Sequence, residues 1–172
     1  MDVEAIRNPA PQPSTMRGFL GTYEHKLDAK GRLFVPRRVL ESVADAEERA
    51  QFVLTLGLDG CLYLFTRRAF LEHFAQVRQA AFGQPEYRAV MRGLGACSSE
   101  QGLDAQGRIL IPEDLRQQVG LGEDVVVVGA VDHVEIWDRA QWRQVAGPGA
   151  VRTYLDKAEH VLSARPDSGV ES

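Results

Sequence analysis

The chain has 172 residues, of which 44% are hydrophobic and 26% are charged, and its formal net charge is −4. This composition is typical of a globular protein with one domain or two small ones, and no run of about 18 apolar residues predicts a transmembrane helix. The two cysteines, Cys61 and Cys97, lie far apart in sequence, which argues against a disulfide framework and against a paired-thiolate zinc site.

The first 17 residues predict a flexible extension. They are mostly polar, contain Pro9, Pro11 and Pro13, and lack the apolar core of a signal peptide. Together with the free thiols, this composition predicts a cytoplasmic protein without a membrane partner.

The chain from residue 18 onward contains two copies of one unit. Residues 27–36 (LDAKGRLFVP) return as residues 103–112 (LDAQGRILIP), with six of ten positions identical and an offset of 76. Further on, residues 52–57 and 62–67 match residues 124–129 and 134–139 at an offset of 72. Two matches in the same order predict units over 18–92 and 93–146, and residues 147–172 are left as a C-terminal tail.

Each unit predicts the same elements in the same order. A first strand ends near Leu27 or Leu103, a glycine turn follows, and an apolar run (33–35 or 109–111) is typical of a short buried strand. A proline then suits the first turn of a helix, two β-branched or apolar strands follow, and Thr66 or Asp138 caps a second helix. Since each unit is too small to bury much surface alone, we expect an α+β pair sharing one core. The tail predicts a short amphipathic helix over 151–162 and disorder after it.

The repeated polar residues need an explanation other than core packing. They are an aspartate, a glycine and an arginine at fixed spacing in each copy: Asp28, Gly31, Arg32 and Asp104, Gly107, Arg108. One interpretation is structural, an Asp–Arg ion pair bracing a turn in which glycine adopts a positive φ. The other is functional, a loop that presents arginine to a phosphate or a guanine edge, because the planar guanidinium forms two parallel hydrogen bonds. The two interpretations are compatible.

Several motifs resemble one known family, the MraZ family of bacterial transcriptional regulators. They are Phe19-x-Gly21-x3-His25-x-Leu27-Asp28-x-Lys30-Gly31-Arg32, residues 56–62 (LGLDGCL), residues 103–112, and residues 134–138 (VEIWD). The matches cover about residues 18–145 in the family's order. Residues 1–17 depart from the family, whose chains normally begin near Gly18; either they are a real extension or translation starts at Met16.

The resemblance implies a fold and a function. The fold would be two pseudo-symmetric AbrB-like swapped-hairpin β-barrel halves with short helices in one chain, each half carrying an Asp-x-x-x-Arg motif associated with DNA binding. Such proteins bind short direct repeats upstream of the division and cell-wall gene cluster, act on its transcription, and assemble into rings. This chain is therefore expected to be a nucleoid-associated homo-oligomer that represses this cluster from DNA upstream of its own gene.

The predicted DNA-binding residues come from both copies. They are Asp28, Lys30, Gly31, Arg32, Arg37, Arg38, Asp104, Gln106, Gly107 and Arg108. Residues 18–92 carry a net charge of +2 and residues 93–172 a net charge of −6. The first copy is therefore predicted to make most of the DNA contact and the second to serve partly as a subunit interface. For Arg37 and Arg38 the alternative is that they simply solvate a helix start.

Two other classes of protein compete with this interpretation. An enzyme is not expected, because the four histidines have no metal-ligand spacing and no nucleophile elbow or phosphate loop occurs. No metal, cofactor or small-molecule ligand is predicted. A structural or assembly module acting through protein partners would keep the fold and use the Asp–Arg pairs only as clamps.

Overall fold

The computed structural model describes residues 18–81 and 83–163, with the side chains of residues 76–81 and 162 left undescribed. The predicted N-terminal extension and the end of the tail lie outside the described residues. The described residues form eight strands and seven helices, in this order: β1 (Thr22–Lys26), β2 (Arg32–Phe34), α1 (Arg37–Ser42), α2 (Ala46–Ala50), β3 (Gln51–Leu56), β4 (Leu62–Thr66), α3 (Arg67–Ala81), α4 (Pro85–Ala96), β5 (Ser99–Gly102), β6 (Arg108–Leu110), α5 (Glu113–Gln118), β7 (Asp124–Gly129), β8 (Val134–Asp138), α6 (Arg139–Val145) and α7 (Ala150–Ser163).

The helix starts follow local chemistry. The Thr66 hydroxyl accepts a hydrogen bond from the Ala69 backbone N–H (3.2 Å), and the Asp138 carboxylate accepts one from the Ala140 N–H (2.9 Å), as predicted for the two second helices. Pro36 and Pro112 were predicted to lie in the first turn of a helix. Each instead lies one residue before the helix, at the N-cap of α1 or α5.

Two helices of the first copy were not predicted. Helix α2 follows Asp45, whose carboxylate accepts hydrogen bonds from two backbone N–H groups of the first turn, and it occupies the extra length of that copy. Helix α4 begins with Pro85 at its first turn. The tail helix α7 starts and ends within one residue of its predicted bounds. No helix of residues 18–81 and 83–163 is long and apolar enough to cross a membrane.

Strands of the two copies pair with one another. The larger sheet is antiparallel with the order β1-β7-β8-β4-β3-β5, so β1 of the first copy pairs with β7 of the second, and β5 of the second pairs with β3 of the first. Strands β2 and β6 form a separate two-stranded antiparallel ribbon. Among the described strands, no pairing joins this ribbon to the sheet, so the core is enclosed by a sheet and a ribbon.

The expected shared core lies between the ribbon and one face of the sheet. Leu33 of β2 and Ile109 of β6 are opposite each other in the ribbon register and are fully buried against strand residues from both copies. Truncating either to alanine is expected to cost about 2–5 kcal/mol, the usual range for a buried aliphatic side chain. A smaller cluster on the opposite face of the sheet contains Cys61, Val126 and Trp137, with Trp142 of α6 packed against it. Both copies therefore depend on one hydrophobic interior.

Candidate nucleic-acid interface

Each Asp-x-x-x-Arg motif forms a closed loop immediately before a ribbon strand. In the first loop the Asp28 N–H donates to the Arg32 carbonyl (3.0 Å), and the Gly31 N–H donates to the Asp28 carbonyl (2.9 Å). Gly31 has a φ of 78°, in the left-handed region that a side chain disfavours. These two backbone bonds and the glycine explain why the motif needs five residues of this spacing.

The Asp28 side chain holds both the loop and the arginine. Its Oδ1 accepts hydrogen bonds from the backbone N–H groups of Lys30 (2.9 Å) and Arg32 (3.0 Å), and its Oδ2 accepts one from Arg32 Nε (2.6 Å). These interactions, led by the Arg32 backbone bond, lower the pKa of Asp28 to about 2. The carboxylate is therefore ionised at neutral pH, and it holds the guanidinium in place through its Nε atom.

The second loop repeats this geometry closely. Asp104 Oδ1 accepts from the backbone N–H groups of Gln106 and Arg108, both at 2.9 Å, and Oδ2 accepts from Arg108 Nε at 2.8 Å. The same backbone bond to the arginine leads the causes that lower the pKa of Asp104. Gly107 has a φ of 78°, as Gly31 does. The structural interpretation of the repeated residues is therefore correct at the level of the loop.

The ribbon brings both arginines to one outer face. Side chains alternate along a strand, so Leu33 and Ile109 point to the core while their neighbours point outward. In the register, Arg32 lies opposite Leu110 and Phe34 lies opposite Arg108. We call these four side chains, Arg32, Phe34, Arg108 and Leu110, the ribbon face.

The apolar members of the ribbon face correct one prediction. The runs 33–35 and 109–111 were expected to be buried throughout, but Phe34 is 49% exposed and Leu110 is 47% exposed. The reason is that β2 and β6 cover the core with one side only, and this alternation is hidden when every residue of a three-residue run is apolar.

The two arginines differ in their surroundings. The Arg32 side chain is 33% exposed, and its terminal Nη nitrogens donate to no residue in the described part of the chain. The Arg108 side chain is 16% exposed, because its Nη1 also approaches Asp28 Oδ2 (3.5 Å) and its guanidinium lies 5.5 Å from the centre of the Phe34 ring. Arg32 is therefore the more available donor.

The remaining predicted residues lie at different distances from this arrangement. Lys30 and Gln106 are exposed at the tips of the two loops. Arg37 and Arg38 are exposed on α1, where Arg37 pairs with Glu41 one turn away (2.7 Å). The described contacts include no hydrogen bond or ion pair between these two arginines and either loop.

The sequence did not predict that a further cationic side chain, that of Arg116, lies beside the first loop. Arg116 of α5 lies against Gly31, where an added Cβ would be 2.9 Å from the Arg116 Cζ, and its Nε donates to the Ile111 carbonyl (3.2 Å). The repeat offers no signal for it, since the offset of 76 aligns Arg116 with Leu40. Within residues 18–81 and 83–163, no atom lies within 4 Å of the corresponding point at Gly107, so the two loops differ on this side.

Two further side chains, those of Cys61 and His133, have surroundings typical of a structural role. Cys61 is fully buried, and burial raises its pKa to about 12, which makes the thiol unreactive. The Nδ1 atom of His133 lies 2.6 Å from Asp132 Oδ1, and its Nε2 atom lies 3.5 Å from Glu135 Oε1. Burial opposes its charging, but the bonds to Glu135 and Asp132 raise its pKa overall. Residues 18–81 and 83–163 contain no group of three or more side chains suited to hold a metal ion.

The fold and the two loops define a class of protein. Two copies that exchange strands within one chain form a swapped-hairpin α+β fold, and in this fold the paired Asp–Arg loops lie on one ribbon. The α+β class with two related copies is confirmed, whereas the described strands form a six-stranded sheet and a two-stranded ribbon and not the closed barrel that was expected.

Comparison with known proteins identifies the family. The profile of the MraZ protein family, described as antitoxin-like, matches residues 19–93 and again residues 96–148. Proteins named transcriptional regulator MraZ are similar over most of the chain. The one from Acetivibrio thermocellus is 37% identical over 129 residues, 75% of this chain and 87% of that protein. The one from Heliobacterium modesticaldum is 38% identical over 84% of this chain and 96% of that protein. The one from Rhodococcus jostii is 42% identical over 73% and 84%.

The chain belongs to the MraZ family. Membership confirms the predicted family, and it places the chain among transcriptional regulators and not among enzymes.

Proposed function

We propose that this protein regulates transcription by binding double-stranded DNA sequence-specifically through the ribbon face and its two loops. The observation that carries the proposal is that the two repeated arginines, which are 76 residues apart in sequence, lie on one outer face of a two-stranded ribbon. The major groove of B-DNA is wide enough to admit such a ribbon.

The geometry of Arg32 suits recognition of a base edge. Asp28 holds the guanidinium through Nε, which orients its plane and leaves the terminal nitrogens to donate. Two parallel donors match the O6 and N7 acceptors of guanine. Holding the side chain in advance also reduces the entropy lost on binding.

The first loop is proposed to contribute more than the second. Lys30 stands at its tip, where the second loop has uncharged Gln106, and Arg32 is more exposed than Arg108. Lys30 would neutralise a phosphate, a contact that carries no sequence information. Asp28, Gly31, Asp104 and Gly107 would hold the loops in shape, and Arg37 and Arg38 would approach flanking phosphates.

The small positive charge of one copy argues for binding by several subunits. Residues 18–92 have a net charge of only +2, so a single chain supplies little electrostatic attraction to DNA. Subunits joined in an oligomer bind later repeats as intramolecular events, which raises the overall affinity. A ring of subunits on short direct repeats upstream of its own gene would use this gain to repress the division and cell-wall cluster. Such a protein would act in the cytoplasm, at the nucleoid.

A mobility-shift titration with the DNA upstream of its own gene tests this function. At two salt concentrations, phosphate contacts predict that affinity falls with a log–log slope of about −0.9 for each phosphate neutralised. A shuffled duplex of the same composition is the control. Equal retention of both duplexes would contradict sequence-specific binding.

A second candidate function is an assembly module acting through protein partners. It is favoured by the internal character of the Asp–Arg pairs, since Arg108 contacts both Asp104 and Asp28 and bridges the two loops. In that case the wild-type protein would retain neither duplex at any salt concentration, and Arg32→Ala and Arg108→Ala would change the melting temperature alone.

A further inference from the structure

The ribbon face carries two exposed apolar side chains that the arginine loops do not explain. Phe34 and Leu110 lie on the same side of the ribbon as Arg32 and Arg108, each opposite an arginine of the other strand. Both side chains leave apolar surface in contact with water, which is unfavourable unless a partner covers it. The face thus alternates cation and hydrophobe in two rows.

We infer that Phe34, with Leu110 diagonally across the ribbon, is a specificity-determining residue that contacts the 5-methyl groups of thymine in the major groove. The inference rests on the proposed function, since it names what the same face recognises between its arginine contacts. The thymine methyl is the one apolar group that a base pair presents in that groove, and phenylalanine is among the side chains that contact it.

The geometry supports a direct contact by the ring. Arg108 covers one side of the Phe34 ring at 5.5 Å from its centre, which fixes the ring while about half of the side chain remains exposed. Arg32, on the same strand and the same face, has its terminal nitrogens free of partners in the described residues. A ribbon placed so that Arg32 reaches a guanine edge therefore brings Phe34 to a neighbouring base pair.

The charges of the surroundings favour DNA as the occupant over a second protein. Arg108 stands opposite Phe34 and Arg32 stands opposite Leu110, while Lys30 lies in the adjoining first loop; the two aspartates are bonded to the arginines and to backbone N–H groups. The groups left to contact a partner are the terminal nitrogens of Arg32, the Lys30 ammonium and the two apolar side chains, which are complementary to base-edge acceptors, phosphates and thymine methyls.

The test replaces thymine by deoxyuracil, which removes only the methyl group and keeps all base-pairing atoms. Wild-type protein and Phe34→Ala are titrated with the duplex from upstream of its own gene and with duplexes carrying single thymine-to-deoxyuracil changes. For wild type, at least one change is expected to weaken binding about fourfold, the effect of removing one buried methyl group. For Phe34→Ala the same change is expected to have no effect. Leu58→Ala, which truncates a 92% exposed leucine in the β3–β4 turn, is the matched control and should keep the penalty.

A second variant separates the methyl contact from support of Arg108. Phe34→Leu keeps an apolar side chain but removes the ring beneath the guanidinium, and it should retain a penalty for deoxyuracil. If the penalty is the same in wild type and Phe34→Ala, if wild type shows none, or if Phe34→Leu loses it, the methyl contact is wrong although DNA binding stands. If wild type retains no DNA, the proposed function fails, and this inference fails with it.

Discussion

Replacing Arg32 by alanine separates a binding role from a structural one. If the guanidinium makes a bidentate contact to a base, its loss should weaken binding by about 1–3 kcal/mol, a decrease in affinity of about 5- to 150-fold. The loop should survive, because Asp28 keeps its bonds to the backbone N–H groups of Lys30 and Arg32, and both are independent of the side chain.

The structural cost of this change is small. The Arg32–Asp28 pair is about one-third exposed on each side, and solvent-accessible pairs of this kind contribute about 0–1 kcal/mol to stability. For a chain of this size, that corresponds to a decrease in melting temperature of at most about 4 °C. Arg32→Lys retains the charge but not the planar pair of donors, so it should keep binding to unrelated DNA and lose most of the preference for the specific duplex.

Fluorescence anisotropy with specific and shuffled duplexes, run beside thermal melts, measures both effects. Arg143→Ala is the matched control, because Arg143 is exposed on α6, which packs on the sheet face opposite the ribbon. Arg108→Ala should reduce binding less than Arg32→Ala, since Arg108 is more buried and bonded to two aspartates. Unchanged affinity of a folded Arg32→Ala protein would refute the base contact, and an equal or larger loss for Arg108→Ala would refute the primacy of the first loop.

Three further predictions use the loops. Lys30→Ala should weaken binding to all duplexes alike and flatten the salt slope by about one unit, measured by the same titrations; a loss confined to the specific duplex would contradict a phosphate contact. Gly107→Ala should lower the free energy of unfolding by about 1–2 kcal/mol because of the positive φ alone. Gly31→Ala should lower it more, because the new Cβ also displaces the Arg116 side chain and its hydrogen bond to the Ile111 carbonyl. Urea unfolding measures both variants, and equal losses of stability would disprove the packing argument. Asp28 has a folded pKa of about 2, below the ~3.9 of an unfolded aspartate, so its stabilising contribution is complete above about pH 4 and is lost as the pH falls towards 2. Acid titration of Asp28→Asn should lack part of this loss, and a profile identical to wild type would contradict the role of the carboxylate.

The Asp–Arg loops were accessible from sequence because their contacts are local. Every hydrogen bond from Asp28 or Asp104 to its own loop joins residues two to four positions apart, so the spacing of aspartate, glycine and arginine contains most of the geometry. The duplication was equally accessible, since ten consecutive positions preserve the pattern. The caps at Thr66 and Asp138 follow from the same short-range chemistry.

The partners of distant segments were not accessible in this way. Helix α4, which was not predicted, buries one side chain, that of Tyr87, so few of its residues mark it as part of the core. The position of Arg116 against Gly31 depends on how α5 of the second copy packs beside the first loop, and no repeated position predicts it.

The sequence alone thus determined that this protein contains two matching units with an arginine loop in each. The repeat is visible when the two segments are compared, and the hydrogen bonds of each loop join residues at most four positions apart. Only the tertiary structure decided that the two loops share one ribbon, that Phe34 and Leu110 face outward with the arginines, and that Arg108 is the more enclosed of the two. The physical reason is that pairing of β2 with β6 joins residues about 76 positions apart, and burial of Leu33 and Ile109 in a core shared by both copies selects which side of each strand remains exposed.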